Sequence, residues 1–176
     1  MSCGAACLTV ARMSVDPDYA AHLTSDGDVV DPAAFAAQER AILARTNAFR
    51  VRSRGVLHDL GWPSFFGTSP WGALEELEWG TGRRYGVVPL RFGDDRVRAR
   101  AYDEVLLSTV RSRAPALLYV GDRVLPRHVT LLSAGEQIVL YEPAAGVVVE
   151  PRRERFTSRS LALGGWDVPW FALVPR

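Results

Sequence analysis

The chain changes texture along its length, from apolar residues at helical spacing to short apolar runs cut by Gly, Pro and charge. From Gly4 to Met13 the segment GAACLTVARM is rich in helix formers, and Cys7, Leu8 and Ala11 form an apolar stripe that predicts a helix. Asp16-Pro17 ends it. A second helix is expected from Asp31, a capping residue followed by Pro32, with Phe35, Ile42, Leu43 and Phe49 on its apolar side. Arg50 to Gly67 has no clean period and reads as loop with short helical pieces. Ser69-Pro70 opens another helix, with Trp71, Leu74 and Leu77 in phase, and Gly80 and Gly82 stop it.

Tyr85 to Phe92 reads as a strand and Ala101 to Arg111 as a helix. Five strands are then expected, over Ala116–Val120, His128–Leu132, Gln137–Tyr141, Val147–Val149 and Trp170–Val174. Helices first and strands later predict an α+β fold, with N-terminal helices segregated against a C-terminal antiparallel sheet. With 176 residues and 48% hydrophobic content, residues 1–176 are expected to form a single domain with a full core.

Charge narrows the partners by exclusion. A formal net charge of +1 gives no bulk attraction for nucleic acid or an anionic membrane. All 21 basic residues are arginine, a composition typical of a GC-rich bacterial genome. No apolar run is long enough to span a bilayer and no secretory leader pattern follows Met1, so the reading is a soluble, cytoplasmic protein.

The chain has two cysteines, Cys3 and Cys7, and both lie at the start of the first helix. Four residues apart on a helix, they share a face but cannot bridge without distorting that turn, so both are expected as free thiols. A thiol at a helix start is disposed to react, because unpaired N–H groups and the helix dipole stabilise a thiolate there. His22, His58 and His128 are scattered singly, without the paired spacing of metal ligands, so neither a metal nor another cofactor is expected.

His128 opens an apolar strand, and alternation puts it on one face with Thr130 and Leu132, with Val129 and Leu131 on the other. The following strand ends at Glu142, just before Pro143. If the hairpin turns about Gly135, Glu142 stands opposite His128, and a carboxylate beside an imidazole is the orienting half of a nucleophile–base–carboxylate triad. Cys3 supplies the nucleophilic half.

Three blocks carry a resemblance: Ser2-Cys3-Gly4-Ala5-Ala6-Cys7-Leu8, His128-Val129-Thr130-Leu131-Leu132 and Tyr141-Glu142-Pro143-Ala144-Ala145-Gly146. Together they resemble the catalytic blocks of bacterial papain-like cysteine peptidases, nearest to the branch related to the peptidase domains that trim double-glycine leaders from bacteriocins. The resemblance implies a papain-like fold, Cys3 as nucleophile, His128 as general base and acid, Glu142 as orienting carboxylate, and a peptide or protein substrate. Cys7 would lie one turn deeper in the core. The family usually places a Gln several residues before the nucleophile as an oxyanion donor, whereas only Met1 and Ser2 precede Cys3 here. It also usually has Asp where this chain has Glu142. The alternative is a catalytically silent domain of the same fold that binds a peptide or partner protein.

Other features read more plainly. Asp167, within Trp166-Asp167-Val168-Pro169-Trp170, is the substitute carboxylate if Glu142 stands too far from His128, and this segment is the one aromatic stretch suited to line a groove. The arginine clusters at 50–54, 96–100 and 152–155 read as solvated faces. Acyl acceptor and oligomeric state are not encoded in any of these motifs.

Overall fold

The computed structural model describes residues 3–25, 29–47, 50–53, 56–59 and 67–176. Helix α1 (Cys3–Met13) leads into α2 (Pro17–Leu23), and a two-stranded ribbon of β1 (Thr24–Ser25) and β2 (Val29–Val30) precedes α3 (Pro32–Asn47). A second ribbon, β3 (Arg50–Ser53) with β4 (Val56–Asp59), takes up the described part of the segment expected to be irregular before Gly67, and His58 lies on β4. Phe49, expected on the apolar side of the second helix, lies outside the described residues.

Next come α4 (Pro70–Thr81), β5 (Tyr85–Pro89), α5 (Asp95–Ser112), β6 (Ala116–Gly121), β7 (Pro126–Ala134), β8 (Ile138–Glu142), β9 (Val147–Val149), the short α6 (Arg153–Thr157) and β10 (Val168–Pro175). Six of the strands form one antiparallel sheet in the order β5-β10-β6-β7-β8-β9. The expected α+β arrangement is present, with N-terminal helices against this sheet. Among the described residues no helix is long and apolar enough to cross a membrane.

Helices α1, α3 and α4 pack together on one face of the sheet, and α5 with α6 covers the other. Strand alternation divides the core accordingly. Leu117, Tyr119, Val129, Leu131 and Leu173 pack with Ala5, Cys7, Leu8 and Ala11 of α1. On the far side Leu118, Val120, Leu132, Leu140, Ala172 and Val174 pack with Tyr102, Val105 and Phe156.

Local chemistry explains where the helices begin. Asp16, expected only to end α1, also caps α2 by accepting the Tyr19 N–H, with Pro17 in the first turn. Helix α5 starts six residues before the expected Ala101, because Asp94 caps it through the Val97 N–H and the charged stretch that follows is made of good helix formers.

One arginine from a run read as a solvated face is buried instead. Arg98 is 7% exposed, and its guanidinium bonds the carbonyls of Thr157 and Gly93 and the Asp95 carboxylate. It ties α6 to α5. Replacing it by Met keeps the apolar stem but removes three hydrogen bonds and leaves the Thr157 and Gly93 carbonyls without this donor, so Arg98→Met is expected to lower unfolding free energy by about 2 kcal/mol in urea titrations. A change below about 0.5 kcal/mol would show that this tie contributes nothing.

Candidate active site

The sheet positions α1 before any polar side chain is considered. Ala5, Cys7 and Ala11 are buried with almost no exposure, and these small residues let the helix lie close on β7, where the Cys7 thiol donates to the Val129 carbonyl at 3.5 Å. Cys7 is therefore the core residue expected, and burial, with the Cys3 and Glu142 charges adding to it, pushes its thiol well above the ordinary range. Both cysteines are free. Gly4 is required: a Cβ there would come within 2.4 Å of the Thr68 hydroxyl oxygen, in the segment leading to α4.

His128 stands at the beginning of β7, paired with Val120 of β6. The register slips by one residue between this pair and the next, Gly121 with Pro126, leaving Arg127 as the bulged residue. Bulges re-aim neighbouring side chains, and this one immediately precedes the histidine. The imidazole is 5% exposed and its Nε2 lies 2.6 Å from Glu142 Oε1. Cys3, at the start of α1, is close enough to raise the basicity of the same ring. Cys3, His128 and Glu142 thus meet at the end of the sheet where β7 begins and β8 ends.

The hairpin achieves this differently from the symmetric pairing expected. Leu131 pairs with Tyr141 and Ala134 with Ile138, so the turn is centred on Glu136 rather than Gly135. Carried toward the strand ends, that register sets Glu142 opposite Thr130, one diagonal step from His128. The extra methylene of Glu spans the diagonal.

Glu142 is 5% exposed, and its Oε1 also accepts the Ala144 N–H at 2.9 Å, which fixes the carboxylate from the turn side. Oε2 is buried and has no partner among the described residues. A buried carboxylate so incompletely satisfied depends on the charge of its neighbour. Burial alone would lower the basicity of His128, but its hydrogen bonds and charge interactions with Cys3 and Glu142 prevail and raise it from 6.5 to about 9. At neutral pH the ring is an imidazolium.

One participant has no counterpart in the sequence reading. Leu163 and Trp166 exchange backbone hydrogen bonds across Gly164 and Gly165, both with positive φ (55° and 84°), forming a tight two-residue turn. A Cβ on Gly164 would lie 2.8 Å from Cδ2 of His128, so the bare backbone is laid directly on the imidazole face. The adjacent glycines between Leu163 and Trp166 are the available signal, a turn bounded by apolar residues.

Asp167 does not serve His128. Its side chain accepts the Ala162 N–H and its carbonyl the Leu161 N–H, so it shapes the loop that carries Gly164. Trp170, from the same aromatic stretch, donates its indole N–H to the Asp122 carbonyl, and Arg91 stacks 4.0 Å from its ring centroid. His22 is exposed on α2, away from any thiol or carboxylate pairing among the described residues. No group of His, Cys, Asp and Glu suited to a metal ion occurs among them.

Comparison with models of known families, with curated proteins and with solved structures finds no match for this chain. The chemistry of the site rests on its own geometry.

Two outcomes follow. By histidine NMR, His128 should remain protonated at pH 7 and lose its proton near pH 9, with Glu142→Gln lowering that midpoint. An unshifted midpoint near 6.5 would contradict the paired arrangement. The sign is that of a base raised by folding: the stabilisation from this proton is complete below about 6.5 and disappears as pH rises through about 9. Gly164→Ala should displace the ring and slow alkylation of Cys3 by about tenfold or more, whereas Gly165→Ala, with similar backbone strain and nothing within 4 Å of its Cβ, should leave alkylation unchanged. Equal effects of the two would mean strain alone is felt.

Proposed function

We propose that this protein is a cysteine peptidase or amidase-type acyl-transfer enzyme of papain-like fold, acting on a peptide or amide carbonyl through Cys3, His128 and Glu142. The observation that carries the proposal is the buried 2.6 Å contact between His128 Nε2 and Glu142, on a ring whose basicity the Cys3 thiol at the start of α1 also raises. Nucleophile, base and orienting carboxylate then stand in series. The sequence blocks around these residues support the same assignment.

In this reading the Cys3 sulfur attacks the carbonyl carbon and the carbonyl π electrons move to oxygen. Backbone N–H groups at the start of a helix are suited to stabilise that developing charge. Collapse of the tetrahedral intermediate expels the amine, which takes the proton from the imidazolium, and leaves a thioester on Cys3. The neutral ring next removes a proton from the incoming water or amine, whose attack breaks the C–S bond with the electron pair left on the Cys3 sulfur, and the protonated ring beside it restores the starting state. Glu142 holds the neutral ring in one tautomer, because Nε2–H is committed to it. Gly164 bars the ring from turning out of line.

The test has two stages. Iodoacetamide, with the adduct located by mass spectrometry, should modify Cys3 well ahead of Cys7 at pH 7, and His128→Ala should slow the Cys3 reaction by about 100-fold. A p-nitrophenyl ester should then release a burst of one equivalent of nitrophenol and leave an acyl group on Cys3, with Glu142→Gln weakening the burst less than His128→Ala does. Fast alkylation with no acyl adduct would identify a silent peptide-binding domain. Preference for Cys7, or indifference to His128→Ala, would defeat the proposal.

A further inference from the structure

A cavity of about 290 Å³ lies between the sheet and the α5–α6 layer, on the face opposite α1. Its walls are apolar, formed by Tyr102, Leu118, Leu132, Leu140, Phe156 and Leu163. Protein interiors are otherwise packed to the density of organic crystals, so an apolar space large enough for roughly ten water-sized groups is a departure that a ligand would correct. Water has little to bond there.

The mouth has a different character. Arg152 and Arg155 line it, both exposed, and neither forms an ion pair among the described residues. Their neighbour Arg153 is already committed to Asp103. Glu150 also lines the cavity, but two guanidiniums outnumber its one carboxylate. An apolar interior under a cationic rim is complementary to an alkyl chain ending in an anion.

We infer that this cavity is a binding site for a medium-chain carboxylate, with the chain inside and the carboxylate held by Arg152 and Arg155, and that its occupancy is felt by His128. The connection is short and covalent. Leu161, Ala162 and Leu163 form one wall, and Gly164, the next residue, is the backbone laid on the imidazole. That strap is conformationally tense, since Ala162 has a φ of 55° and Arg159 one of 56°. A chain pressing on Leu163 moves the cover of the histidine. The binding stands apart from the catalytic proposal, and its regulatory meaning alone rests on His128 being the base.

Isothermal titration with hexanoate, octanoate, decanoate and dodecanoate, all below their micellar concentrations, tests the fit. Affinity should rise about tenfold for each two carbons, as burial of two methylenes implies, and level off near decanoate when the cavity is full. Decanol should bind at least tenfold more weakly than decanoate, and the exposed double variant Arg152→Glu/Arg155→Glu should lose the same factor while keeping its circular dichroism spectrum. Leu140→Phe should move the plateau to a shorter chain. Decanoate should shift the His128 ring signals in the wild type at saturation.

No binding, affinity that keeps rising past dodecanoate, or equal affinity for acid and alcohol would overturn the site. Binding that leaves the His128 signals unmoved would overturn the connection. Because the readouts are heat and ring resonances, both results are independent of whether Cys3 turns over any substrate.

Discussion

The docking of α1 across β7 is the constraint on which the site depends. Small side chains at Ala5, Cys7 and Ala11 bring the helix axis close to the sheet, and the Cys7 thiol marks the contact at the Val129 carbonyl. One turn back along the helix, Cys3 then arrives at the row where His128 opens its strand. A bulkier residue at any of these positions would lift the helix and separate sulfur from imidazole, so core packing and candidate chemistry are parts of one contact. Gly4 extends the same logic, since Thr68 occupies the space a side chain would need.

Around that contact the electrostatics are asymmetric. Removing His128 and Glu142 from water is costly, and the pair recovers the cost only through mutual contact, the Ala144 N–H and the nearby thiol. Glu142 Oε2, buried and unpaired among the described residues, keeps the balance incomplete. Such an arrangement holds its proton on the imidazole.

Much of this was legible in the sequence, and the failures have physical causes. The helical spacing of Cys7, Leu8 and Ala11 and the alternation of His128 through Leu132 correspond to α1 and to the two-sided core about β7. Hairpin symmetry identified Glu142 as the partner of His128 but misjudged the turn centre by one residue, because the length of a Glu side chain can compensate for a diagonal offset. The start of α5 was hidden by arginines, which obscure the apolar period, and the burial of Arg98 depends on carbonyls distant in sequence. Asp167 looked available because its backbone partners at Leu161 and Ala162 come from a loop without periodic pattern. Gly164 was missed for the same reason: its importance lies in what sits beneath it.

That glycine also restricts how the imidazole can respond to its surroundings. With the Gly164 backbone against it and a carboxylate 2.6 Å from Nε2, the ring is confined on two sides. Many histidines answer a change of protonation by swinging toward solvent, which blurs a titration with a movement. Here the two are separated. A proton can leave the ring while Gly164 and Glu142 still flank it, so acidity and alkalinity would act on this site chiefly as a change of charge.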